Sequence, residues 1–126
     1  MKWLDQTLWK CRYQFGLCLT EKEFHRSLKS MRIPTTQWPR WVSENADATT
    51  HFFEHPDGGK AAIVCMGENE HLNGVQKACL LVHEAVHIWQ EHRVAVGEHK
   101  PSDESEAYAV QSISQRLMEA YSEAIK

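Results

Sequence analysis

A chain of 126 residues, 42% apolar and 25% charged, has the size and composition of one globular domain, expected to span residues 1–126 with a core of its own. Its 14 basic and 17 acidic residues leave a net charge of −3, and no block of Lys or Arg exists to form a nucleic-acid footprint or hold an anionic membrane. No apolar run reaches the roughly 20 residues of a membrane span, and Met1-Lys2-Trp3-Leu4-Asp5 does not open like a secretory leader, so the expected setting is the cytoplasm.

In chain order, Trp3, Leu4, Leu8, Cys11 and Phe15 recur at helical spacing and predict an amphipathic first helix over residues 3–15. Thr20-Glu21-Lys22-Glu23 is a capping-box pattern that starts a second helix through Phe24 and Leu28, stopping before Pro34. Residues 34–48 hold two prolines, Trp38 and Trp41 in no clear period, and read as a long connection whose tryptophans cover the core. Residues 49–54 and 60–66 are short runs of β-forming residues around His55-Pro56-Asp57-Gly58-Gly59, the signature of a β-hairpin. A polar loop to Asn73 then leads into the most regular segment of the chain. Val75, Cys79, Val82, Val86 and Trp89 form one stripe of a long helix ending near His92, and this stripe is expected to face the core. After a loop with Gly97 and Pro101, Ser102 caps a last helix with Val110, Ile113, Leu117, Ala120 and Ala124 as its buried stripe. Cys11, Cys18, Cys65 and Cys79 contain no Cys-x-x-Cys pair and lie in apolar surroundings, so buried reduced thiols are expected.

The chemistry concentrates in His83-Glu84-Ala85-Val86-His87. Four residues apart on a helix, His83 and His87 project about 40° apart around the axis and reach a common zinc ion. Glu84 points about 100° from His83, towards the water of an open zinc position. Three protein ligands on zinc bring the pKa of that water near neutrality, and a carboxylate beside it takes the proton as the water attacks a carbonyl. The third ligand is open among Glu104, Glu106 and His99, because Glu106 falls in phase with the buried stripe of the last helix and Glu104 on an adjacent face. His92 and His99 do not match a third-histidine spacing and are expected at the surface, as are His51, His55 and His71.

The pentapeptide, followed by Glu104-Ser105-Glu106-Ala107-Tyr108, resembles the gluzincin branch of zinc metallopeptidases, including small metallopeptidase-like proteins of phage and prophage genomes. The resemblance covers residues 75–117. It implies an α+β, zincin-like single domain, mainly helical with a small antiparallel hairpin or sheet. It also implies zinc held by His83, His87 and Glu104, with Glu84 as general base. Tyr108 stands where the family carries an aspartate that orients a zinc histidine, a charge that a phenol does not supply. The strand at residues 60–66 is the expected sheet edge for an extended peptide. The expected function is zinc-dependent hydrolysis of a peptide or protein, with a homo-oligomer or protein partner completing the cleft of so short a chain. Two other readings are a catalytically silent zinc-binding protein, serving as a phage accessory or interaction factor, and a regulatory partner of a host protein without turnover.

Overall fold

The computed structural model describes residues 1–126. Strand β1 (Gln14–Cys18) is followed by helix α1 (Glu21–Ser30), one turn of 3-10 helix (Thr35–Gln37), strands β2 (Ala48–Glu54) and β3 (Lys60–Met66), and helices α2 (Gly74–Ala95) and α3 (Asp103–Ala124). The fold is α+β. Its sheet has the order β1-β3-β2, with β2 antiparallel and β1 parallel to β3, so the sheet is mixed and extends beyond the expected hairpin. No helix is long and apolar enough to cross a membrane.

The predicted first helix is absent. Asp5 accepts hydrogen bonds from the backbone N–H and the hydroxyl of Thr7, and the Gln6 amide both donates to Tyr13 O (2.7 Å) and accepts from Cys11 N–H (3.0 Å). These side-chain bonds fold residues 5–13 into a loop that competes with helix. The run that follows is buried on both faces of the sheet, as strands with a parallel neighbour are, which explains its unbroken apolar character. Thr20 caps α1 as expected, its hydroxyl accepting from Glu23 N–H.

Alternation along the strands divides the core. Phe15, Leu17, Ala48, Ala62, Val64 and Met66 meet Leu81, Ala85, Ile88, Ala109, Ile113 and Leu117 of α2 and α3 on one side. On the other side Cys18, Ile63 and Cys65 pack with Phe24 and Leu28 of α1, and Trp38 and Trp41 close that layer as the sequence suggested. Helices therefore cover both faces of the sheet. Burying each of these large aliphatic side chains is worth about 1.5–3 kcal/mol, and the packing fixes the rotation of α2 and α3 about their axes.

That rotation overturns the expected α2 stripe except at Trp89, which is buried as expected. Leu81, Glu84, Ala85, Ile88 and Trp89 are buried, whereas Val75 is 74% exposed, Cys79 is exposed, and Val82 and Val86 are half-buried. Two apolar stripes run along α2, and the sheet takes the one containing Leu81, Ala85 and Ile88. Cys11, Cys18 and Cys65 are the buried free thiols; Cys79 is not. Burial pushes the Cys11 and Cys18 thiols up to about 11. On α3 the buried residues are Ala109, Ile113, Ser114 and Leu117, with Val110 and Ala120 at the margin and Ala124 exposed.

Candidate metal centre

Helix α2 is delimited at both ends by its own sequence. Asn73 accepts from Gln76 N–H while the Gln76 side chain accepts from Asn73 N–H, a reciprocal capping box. At the other end Gly97 takes φ +72°, with Gly97 N–H bonded to Val94 O and Glu98 N–H to Arg93 O. Only a residue tolerant of the left-handed region closes a helix in this way.

Between these ends, Ala85 marks the side of α2 that faces the core. His83 and His87 lie about 160–200° from it around the axis and are exposed. Their Nε2 atoms are 3.2 Å apart and their rings meet edge to face, centroids 4.9 Å apart. Two nitrogens bound at about 2.0–2.1 Å to one tetrahedral zinc stand about 3.3–3.4 Å apart, so the separation suits a shared ion. The same approach serves a hydrogen bond between one N–H and one bare ring nitrogen in the neutral pair.

Glu84 turns about 100° from Ala85, towards β2. It is 4% exposed, and its Oε2 accepts a 2.5 Å hydrogen bond from Thr50 Oγ1. Oε1 has no partner in the chain, yet it is not among the sealed polar atoms that lack one, so it reaches solvent. Thr50 belongs to the strand at the edge of the sheet, and its neighbours in phase, Ala48 and Phe52, point into the same core. Thr50 escaped the sequence reading, although its alternation with those two residues was the available signal.

The acidic first turn of α3 begins at Ser102, whose hydroxyl accepts from Ser105 N–H. Glu106 stands in phase with Ala109 and Ile113, and its Oε2 accepts from the Trp89 indole N–H at 3.0 Å. Glu104 is nine positions before Ile113, about 180° away from it around the axis, exposed and free of hydrogen bonds and ion pairs. His99 is exposed in the loop between the helices, and Tyr108 is 58% exposed, so it is not packed beneath α2. No three His, Cys, Asp or Glu side chains converge on one point. His83 and His87 thus stand as a pair that Glu104, Glu106 and His99 do not join.

Other expectations are corrected nearby. The strand at residues 60–66 is the centre of the sheet, flanked on both sides, so the free edge beside α2 belongs to β2. His92 is packed: its Nδ1 accepts from Arg12 N–H at 2.8 Å, and its ring lies 4.7 Å from Trp9 and 5.8 Å from Trp89. Desolvation there holds its pKa below the ordinary histidine value, against a smaller opposing effect of Glu98. His51 is half-buried, stacked on Phe24 and 3.0 Å from Trp41 O. His55 and His71 remain exposed, beside Asp57 and Asp47. No protein-family model matches the chain, and no match to it was found among curated proteins or solved structures.

Proposed function

We propose that the protein is a zinc-dependent hydrolase of peptides or proteins with a zincin-like fold, in which His83 and His87 hold the ion and Glu84 acts as general base. The observation that carries this reading is the convergence of the two Nε2 atoms, 3.2 Å apart, on a helix whose intervening glutamate is oriented by the sheet edge. Zinc, when bound, supplies a Lewis acid that brings water acidity close to neutral pH. Glu84 keeps Oε2 on Thr50 and takes a proton from water at Oε1. An extended substrate lies along the free edge of β2, whose outward N–H and C=O groups have no strand partner. Glu104, whose carboxylate is engaged by nothing in the chain, is the proposed third ligand; Glu106 is already committed to Trp89. The cytoplasm is the proposed setting, supported by three buried cysteines that remain thiols.

A second reading, in which zinc is kept without turnover, is favoured by the surroundings of the pair: His83 and His87 stand exposed on α2 and line none of the principal grooves that could hold a substrate.

Metal analysis and peptide-library hydrolysis test the two together. The parent is expected to carry about one zinc per chain, His83→Ala and His87→Ala to lose it, and Glu84→Gln to keep zinc while losing hydrolysis. Zinc retained in the double histidine variant overturns the site. Zinc without hydrolysis in the parent selects the second reading.

A further inference from the structure

The eight histidines divide by their partners. His25, His55 and His71 stand beside carboxylates, and backbone groups hold His51 and His92. His83 and His87 bond only to each other, and no third His, Cys, Asp or Glu of the chain converges on them. Two ligands leave a tetrahedral ion half coordinated, so the site is incomplete within one chain. Its surroundings are open. Both rings are exposed on the side of α2 opposite the core, where a donor from outside the chain reaches their Nε2 atoms without displacing anything.

We infer that a second copy of the chain completes this coordination with the same two histidines, so that four imidazoles share one zinc ion and join two chains through it. This rests on the reading of His83 and His87 as zinc ligands and adds a regulation of that site. The first argument is chemical. Zinc sites closed by protein take four ligands and favour imidazole nitrogen, and the one exposed pair of ring nitrogens already at ligand spacing is this pair, 3.2 Å apart. The second argument is geometric. A two-fold axis through the ion sets the pair against its own image, as an isologous contact requires. In a tetrahedron the two nitrogen–nitrogen edges lie at right angles, so the helices cross at about 90° and meet through little besides the imidazoles and the ion. The closed form has no position for water, whereas an ion on a single chain keeps one. Limiting zinc therefore favours the shared, silent form, and zinc in excess gives each chain its own ion.

Sedimentation velocity of the full chain at about 50 µM, stripped of metal by a chelator and then titrated with zinc, tests the inference. The metal-free parent is expected to be monomeric, to dimerise at half an equivalent of zinc, and to return towards monomer in about tenfold zinc excess or on renewed chelation. His83→Ala and His87→Ala should each abolish the zinc-dependent dimer with circular dichroism unchanged. His71→Ala, at an exposed histidine elsewhere, should leave it intact. A parent that binds zinc through the two histidines yet stays monomeric at every ratio overturns the bridge and leaves the ligand assignment standing. A parent that binds no zinc overturns both. A dimer that forms without zinc, or with zinc in the variant lacking both histidines, overturns the bridge as well.

Discussion

Thr50 and Glu84, 34 residues apart in the chain, are joined by a 2.5 Å hydrogen bond that ties the edge of the sheet to the centre of the histidine helix. Glu84 would otherwise be a carboxylate at 4% exposure with no donor from the protein. Thr50→Val keeps the shape and removes the donor, and is expected to lower stability by about 1–3 kcal/mol in urea denaturation, with Thr50→Ser restoring it. On the proposed mechanism, Thr50→Val also lowers kcat about tenfold or more with zinc content unchanged, since a carboxylate that swings freely is a poorer base. Parental stability in Thr50→Val would remove this bond from the account.

Glu104 and Glu106 separate cleanly by experiment. Glu106→Ala leaves the Trp89 N–H without its acceptor and is expected to cost about 1–3 kcal/mol of stability while zinc binding is retained. Glu104→Ala touches nothing and should change stability by less than about 0.5 kcal/mol, but weaken zinc binding strongly if Glu104 is the third ligand. Isothermal titration with zinc beside thermal denaturation reads both quantities, and the reverse pattern would exchange the two roles.

His92 makes stability depend on pH in a known direction. Its pKa in the fold lies below 6.5, so the unfolded chain binds the proton more tightly. The neutral ring's contribution is present above pH 6.5, is lost as pH falls below that value, and is fully lost beneath the folded pKa. Protonation also removes the Nδ1 lone pair that Arg12 N–H uses. His92→Phe keeps the contact with Trp9 and Trp89, and its stability should fall less than that of the parent between pH 7 and pH 5. Equal slopes in denaturant titrations across that interval would exclude His92 as the source.

Arg32 closes α1 at φ 60°, a conformation that costs a side-chain-bearing residue about 1–2 kcal/mol. Arg32→Gly should therefore stabilise the protein by up to about 1 kcal/mol, visible as a higher midpoint in urea. An unchanged or lower midpoint would show that the arginine side chain offsets the backbone cost.

The sequence carried its local signals well. Thr20, Asn73 to Gln76, Ser102 and Gly97 mark helix ends through bonds made within a few residues, and the hairpin turn at Asp57-Gly58-Gly59 is equally local. What failed was decided at a distance. The helical spacing of Trp3, Leu8 and Cys11 lost to bonds from Asp5 and Gln6, and the buried face of α2 was chosen by the sheet between two apolar stripes. In the candidate site, the pairing of His83 with His87 follows from helix geometry alone. The Thr50 contact with Glu84 and the capture of Glu106 by Trp89 required the tertiary arrangement.

The position of β3 between an antiparallel and a parallel neighbour also orders events in time. Strands β2 and β3 meet across a short turn, and α2 and α3 across a short loop, so both pairs form with little loss of chain entropy. Strand β1 has no such shortcut: α1, the tryptophan-bearing connection and all of β2 lie between it and the strand it joins. Its docking is the nonlocal step, and it completes the core by bringing in Phe15 and Leu17. Until then the inner edge of β3 stays open, and the nascent chain is most vulnerable to aggregation there, rather than at the exposed histidine helix.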